Sequence, residues 1–186
     1  MRRSLTVIIS TTLVLSLSGM TLAHEFEPEG EITMNFDGQE WVFHSLSLEY
    51  DTVRESSASV GSLELPFPPG AQMLMITGTA NTDSTGPSLH LAIGFKEHPS
   101  EGEKLTLIDQ PDLTFYENTQ RPPYWSSVSA ADIVFSRYDF DGETGHATGT
   151  FEARMCLVSD WDTEPDMSVC RDAQGTFDTR LLKALG

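Results

Sequence analysis

The chain has few basic residues. Its 186 residues include 11 Lys and Arg against 28 Asp and Glu, a formal net charge of −17. A protein that neutralises nucleic-acid phosphates or anionic lipid headgroups needs clustered Lys and Arg, and the sequence has no such cluster. We therefore expect no nucleic-acid partner. The excess of acid favours a solvated acidic coat or, as an alternative, a cationic ligand or metal ion.

Long apolar runs are missing beyond the first residues. Two arginines, an apolar stretch from Leu5 to Leu17 and small residues ending at Ala23 are typical of a cleaved secretory signal. No later stretch approaches the roughly 18 apolar residues of a membrane-spanning helix. The first cysteine is Cys156, so no thiol near residue 23 could carry a lipid anchor. We expect an exported protein, periplasmic or secreted, with residues 24–186 in one domain.

Removing the predicted signal makes the charge more extreme. Residues 1–23 contain two arginines and no acids, so the net charge changes from −17 to −19. The remaining 163 residues are enough for a single domain with its own hydrophobic core.

Cysteine is nearly absent. Two cysteines in an exported chain predict one disulfide, because a redox motif needs Cys-x-x-Cys and a zinc site needs more Cys or a nearby His. A symmetric hairpin centred on Thr163 places Cys156 directly opposite Cys170. The expected bridge therefore joins two antiparallel neighbours.

Helical periodicity is scarce, and apolar residues alternate with a period of two through most of residues 24–186. Short alternating segments, including one from Leu105 to Ile108, are separated by Gly, Pro and Asp turns. The pattern predicts an all-β fold, an antiparallel β-sandwich of about nine strands. A jelly-roll or an up-and-down β-barrel is the alternative. The segment from Asp51 to Gly70 is expected to be mainly a connection.

Two local patterns refine this prediction. An Asp37–Gly38 turn would pair Met34 with Trp41 and put the apolar residues of both strands on one side. A change of apolar phase further along predicts a bulge around His44–Ser45. The tripeptide Gly-Thr-Phe occurs at 149–151 and again at 175–177, which indicates similar strand chemistry at both places.

Enzyme signatures are mostly absent. The sequence has no Gly-x-Ser-x-Gly elbow, no His-Glu-x-x-His motif and no phosphate-binding loop. We therefore expect a non-catalytic binding or structural module without a cofactor. Its partner could be a small molecule, a glycan or a protein.

Aromatic residues in two loops suggest one kind of ligand. Tyr124 and Trp125 follow two prolines, and Trp161 lies between the cysteines. Flat exposed rings in these loops could stack on sugars, as in carbohydrate-binding sandwiches. The alternative is that each ring folds inward and caps the core. His90 stands opposite the main apolar face of its segment and could line a second face or groove; an ordinary surface histidine, or one with satisfied hydrogen bonds, is the favoured alternative.

Acidic residues between the cysteines suggest a calcium site that would assist carbohydrate binding. Four carboxylates occur within seven positions, and hard cations prefer such oxygen-rich surroundings. The spacing does not match an EF-hand, because Pro165 stands where Gly is required, and a solvated turn is the alternative. The candidate ligands are Asp160, Asp162, Glu164 and Asp166.

Cleavage after Ala23 would make His24 the first residue. A free amine and an imidazole on one residue can chelate copper, and this start resembles exported copper proteins that use an N-terminal histidine brace, some of which are oxidases. A brace needs a second histidine. The candidates are His44, His90, His98 and His146.

Overall fold

A computed structural model of the protein describes residues 26–50, 53–63, 67–96, 112–118 and 120–184. Within these ranges there are eleven β-strands and no helix, and hence no helix that could span a membrane. The strands are β1 Glu27–Phe36, β2 Gln39–Tyr50, β3 Val53–Ser56, β4 Ala58–Ser62, β5 Gln72–Thr79, β6 Ser88–Phe95, β7 Asp112–Tyr116, β8 Tyr124–Ser127, β9 Asp132–Phe140, β10 Thr144–Val158 and β11 Asp166–Lys183.

The long hairpin of β10 and β11 is the centre of the sheet. Its ladder runs from the Thr144 and Leu182 pair to the Cys156 and Cys170 pair. On the edge that faces away from β10, β11 pairs with β1. On its other edge, β10 pairs with β9 along its first part and with β8 along its last four residues. With β4, which pairs with the end of β11, six strands are thus placed by the hairpin and its neighbours.

The strand pairings close the sheet on itself. A path through β11, β1, β2, β5, β6, β7, β8 and β10 returns to β11 through hydrogen-bonded neighbours at every step. This closure is barrel-like, so the described strands form one sheet around a single core. The predicted all-β fold is confirmed, although the strands number eleven and not about nine.

The underestimate has a local cause. The segment from 51 to 70, predicted to be mainly a connection, contains β3 and β4. Tyr124 and Trp125, predicted to lie in a loop, belong to β8. The sequence of β3 and β4 has few apolar residues, but β3 pairs with β2, and β4 pairs with β5 and with the end of β11. Backbone pairing with a neighbour forms a strand even without apolar alternation. The segment from Leu105 to Ile108, also predicted as a strand, lies outside the described residues.

Phenylalanine rings fill the interior of the closed sheet. The alternating strands point their apolar residues inward, and six Phe side chains are almost completely buried. Phe135 contacts Phe177 edge-to-face, with ring centroids 5.4 Å apart, and Phe43 contacts Phe115 in the same way at 5.9 Å. The six rings are Phe43, Phe95, Phe115, Phe135, Phe151 and Phe177.

The repeated Gly-Thr-Phe tripeptide has a packing explanation. In the β10–β11 ladder Gly149 lies opposite Phe177, and Phe151 lies opposite Gly175. A Cβ on Gly149 would come within 2.6 Å of the Phe177 ring, and one on Gly175 within 2.4 Å of the Phe151 ring. Each ring therefore lies over the glycine of the other strand, where a side chain would leave no room.

Replacing Gly175 with Ala should destabilise the fold by roughly 1–3 kcal/mol, because the new methyl group would lie within 2.1 Å of the Thr33 backbone oxygen and 2.4 Å of the Phe151 ring. The control is Gln174→Ala, at an exposed neighbour on the outer face, where a change within about 0.5 kcal/mol is expected. Urea unfolding of both variants measures the difference. Equal stability of the two variants would contradict the reciprocal packing.

The predicted bulge is in the other strand. The register of β1 and β2 shifts between Pro28 and Gly30, so the extra residue is Glu29 and not a residue around His44–Ser45. The Glu29 side chain is only 4% exposed, accepts a hydrogen bond from Ser47 Oγ at 2.7 Å and pairs with Arg54. These contacts hold the extra residue in β1. The paired residues of β2 stay consecutive at this point.

The predicted disulfide is confirmed. Cys156 and Cys170 are bonded, and they are directly opposite each other in the β10–β11 ladder. Of the two residues, Cys156 is completely buried. The bridge closes the hairpin tip at the point where the regular ladder ends.

The double substitution Cys156→Ala/Cys170→Ala should lower the free energy of unfolding by about 3 kcal/mol, since the bridge closes a loop of about 15 residues in the unfolded chain. Denaturant titration of the purified variant measures the loss, and the oxidised wild type is the reference. A change below about 1 kcal/mol would show that the bridge does not appreciably restrict the unfolded chain and does not stabilise the folded one.

Candidate functional site

Three aromatic side chains form a continuous strip on the outer face of the sheet. Tyr116 ends β7, Tyr124 begins β8, and Trp161 lies in the tip of the β10–β11 hairpin. Ring centroids are 5.1 Å apart between Tyr116 and Tyr124, and 5.8 Å apart between Tyr124 and Trp161. We call these three residues the aromatic strip. Burial raises the pKa of Tyr116, and the neighbouring Tyr124 and Asp112 add to the effect.

Strand alternation explains why the strip faces outward. In β7 Leu113 and Phe115 are buried in the core, so Tyr116 must point to the other side. Tyr124 pairs with Val158, near the end of β10, and this places it beside the hairpin tip. The strip therefore joins three elements that are far apart in the sequence.

His90 in β6 contacts Tyr116, which is at the end of the strip opposite Trp161. Its ring centroid is 5.4 Å from that of Tyr116, in edge-to-face orientation. Nδ1 lies 3.1 Å from Thr77 Oγ1, and Nε2 lies 3.3 Å from Ser88 Oγ. Burial lowers the pKa of His90, while the negative charge of Asp112 opposes the shift. At neutral pH the imidazole is therefore uncharged.

A row of polar side chains accompanies the strip. The strand registers align Thr77 with His90, His90 with Thr114, and Thr114 with Ser126. All four are half-buried residues of the outer face. Aromatic rings beside hydroxyl and imidazole groups can contact a ligand that has both apolar and hydrogen-bonding surfaces.

A cleft continues this face past Thr77. It has a volume of 340 Å³ and lies between β2, the β3–β4 segment and β5. Its lining includes Leu46 and Leu48, which face outward from β2, together with Phe26 and Gln120. The cleft shares Thr77 with the polar row, so the outer face offers an extended surface from Trp161 to β2.

Trp161 is held in an exposed position. It is 56% exposed, the only Trp among the described residues with more than a third of its surface in solvent. Thr163 N and Oγ1 both donate to the carbonyl of Asp160, at 3.2 and 2.9 Å, and the Trp161 backbone N–H donates to Asp160 Oδ1. With the disulfide at its base, these bonds define the turn that presents Trp161 to solvent.

The structure separates the three aromatic residues predicted as a ligand site. Tyr124 and Trp161 are in contact, but Trp125 points to the inner face of β8 and packs against Phe36 with ring centroids 5.0 Å apart. Its indole Nε1 donates to Glu117 Oε1 at 2.9 Å. Trp125 thus follows the alternative interpretation and caps the core, because adjacent strand residues point to opposite faces.

The four carboxylates predicted for calcium are all exposed. Asp160 accepts the turn hydrogen bond described above, and Asp166 Oδ1 accepts bonds from Ser168 N and Oγ at 2.9 and 2.6 Å. The Ser168 bonds lower the pKa of Asp166. Across the described residues no group of three His, Cys, Asp or Glu could hold a metal ion. Calcium binding by Asp160, Asp162, Glu164 and Asp166 stays a prediction.

The copper hypothesis also stays a prediction. His24 and His98 lie outside the described residues. Of the other histidines, His90 makes the contacts given above, and His146 Nε2 lies 2.5 Å from Asp178 Oδ1.

A second depression, of 710 Å³, lies on the outer face between the Asp37–Gly38 turn and the start of β9. Most of its charged groups pair with each other. Arg171 Nε is 3.1 Å from Asp37 Oδ2, and Arg154 Nη1 is 3.3 Å from Asp172 Oδ1. Because these charges are already partnered, the depression offers a ligand less than the aromatic strip does.

Comparison of the chain with models of known protein families, with curated proteins and with solved structures finds no match. The site has to be interpreted from its own chemistry.

Tyr116 is the member of the strip that sequence reasoning missed. Alternation in Asp112-Leu-Thr-Phe-Tyr116 already predicts an outward ring at its last position. Its neighbours come from the pairing of β7 with β8 and of β8 with β10. That pairing order cannot be read from local patterns, because the strands are joined by long connections.

The lowered pKa of His90 predicts an acid-sensitive contribution to stability. The unfolded chain takes up a proton near the ordinary value of 6.5 while the folded chain does not, so stability is full above that pH and falls below it. Between neutral and mildly acidic buffer, the melting temperature of the His90→Gln variant should fall by less than that of the wild type. Identical losses in both proteins would contradict this assignment.

Proposed function

We propose that the protein is an exported, non-catalytic binding module that recognises a carbohydrate through the aromatic strip. The single observation that carries the proposal is the exposed Trp161 ring, which lies at the end of the strip, tilted by 40° against Tyr124, on a disulfide-closed turn. Contiguous exposed apolar surface marks interaction sites and ligand-binding grooves, and the contacts through Tyr124 to Tyr116 make Trp161 part of such a surface.

The chemistry of the face suits a sugar. A pyranose ring has an apolar C–H face that packs on an aromatic ring, and a rim of hydroxyl groups that need hydrogen-bond partners. The strip supplies the rings, while Thr114 and Ser126 stand beside it with hydroxyl groups. Tyr and Trp also lose little conformational entropy when they bind, because each has only two side-chain torsions.

The non-catalytic part of the proposal comes from the sequence, which has no nucleophile elbow, zinc-protease motif or phosphate-binding loop. Export is supported by the predicted signal in residues 1–23, and a disulfide is compatible with an oxidising compartment.

The decisive variant is Trp161→Ala. We expect the wild-type protein to bind at least one soluble oligosaccharide in a calorimetric panel of neutral, amine-bearing and uronate sugars. Trp161→Ala should weaken that binding at least tenfold, which corresponds to about 1.4 kcal/mol, because an aromatic anchor contributes most of the energy of a small interface.

The matched control is Met167→Ala. Met167 is 65% exposed and belongs to β11 of the same hairpin, but it has no aromatic ring with which to stack on a sugar. Its replacement should leave the affinity unchanged, and the melting temperatures of both variants should equal that of the wild type. If no glycan binds, or if Trp161→Ala binds as well as the wild type, the proposed function is wrong.

A further inference from the structure

The charge around the aromatic strip is one-sided. Trp161 lies between Asp160 and Asp162 in the sequence, and Glu164 and Asp166 complete the same turn. All four carboxylates are exposed, and none forms an ion pair with any residue that the structure describes. The end of the strip that is open to solvent is therefore the end with uncompensated negative charge.

The basic residues near this turn do not neutralise it. Arg171, just beyond the disulfide, donates to Asp37 and lies 6.0 Å from the Trp125 ring centroid, so its guanidinium is engaged elsewhere. Arg121 is exposed in the loop that leads to Tyr124 and brings one positive charge to that side. The net charge around the strip stays negative, because Asp112 on β7 and Glu117 in the loop after it add two more carboxylates.

We infer that the ligand of the aromatic strip is a glycan with protonated amino groups, a polymer or oligomer of amino sugars that are not acetylated. This inference rests on the proposed carbohydrate function and adds the charge class of the sugar. The apolar face of the sugar would pack on Trp161, and its ammonium groups would lie near the carboxylates of the turn.

Two physical effects favour this class over the others. An ammonium group close to an indole face gains cation–π attraction, which neutral and anionic sugars lack. A glycan bearing carboxylate or sulfate groups would instead bring like charges together at the turn, which is unfavourable at low ionic strength. Neutral sugars would keep the stacking contact and gain nothing from the carboxylates.

The test compares three soluble oligosaccharides of equal length in mildly acidic buffer: an amine-bearing oligomer, its fully N-acetylated counterpart and a uronate oligomer. We expect the amine form to bind at least tenfold more tightly than the acetylated form, and the uronate form to show no binding. In about 1 M salt, where the Debye length is about 3 Å, the advantage of the amine form should largely disappear.

Two double variants assign the effect to the turn. Asp162→Asn/Glu164→Gln removes two charges beside Trp161 and should reduce the preference for the amine form several-fold, with acetylated binding unchanged. The charge-matched control is Glu31→Gln/Glu40→Gln, on the exposed outer residues of β1 and β2, which should keep the full preference. If both double variants lose it equally, general attraction to an acidic protein explains the result and the inference is overturned.

The outcomes separate this inference from the proposed function. If the amine and acetylated oligomers bind equally, and both need Trp161, the carbohydrate function stands and the charge inference is wrong. If no oligomer binds, the proposed function itself fails. Oligolysine of matched charge is the remaining probe. If it binds as tightly as the amine sugar and is insensitive to Trp161→Ala, the ligand is selected by charge alone and the inference is overturned.

Discussion

The register of the β10–β11 pair is the constraint on which the rest of the structure depends. It sets each Phe ring of the repeated tripeptide over the glycine of the other strand, and it brings Cys156 opposite Cys170. A slip of one residue would turn every inner side chain of one strand to the outside. The core, the disulfide and the position of Trp161 all follow from this one alignment.

The same register couples the core to the candidate site. β10 ends by pairing with β8, so the strand that buries Phe151 also places Tyr124 beside the hairpin tip. The outer face is assembled from strands whose inner faces hold the Phe cluster. Packing of the inner faces therefore also sets the relative positions of Tyr116 and Tyr124.

Local patterns predicted the parts of this fold that depend on neighbours in the sequence. The Asp37–Gly38 hairpin pairs Met34 with Trp41 as expected, and the disulfide pairing followed from hairpin symmetry. The closure of the sheet through β2 and β5 was not predictable, because it joins segments without a tight turn between them. Trp125 shows the same limit: a ring beside prolines gives no sign of which face it occupies until the strand is known.

The distribution of charge gives the outer surface two unlike regions. Around β9, β10 and β11, several of the few cations meet carboxylates at close range, as Arg137 does with Asp139, and Lys183 with Glu143 at 2.7 Å. Exposed pairs of this kind add little stability, but they cancel the local field. At the hairpin tip Asp160, Asp162, Glu164 and Asp166 form no ion pair with a described residue, so their negative charge stays uncompensated beside the exposed Trp161 ring. A cationic ligand that also stacks would gain from both features at once, whereas around β9, β10 and β11 it would meet carboxylates that are already paired.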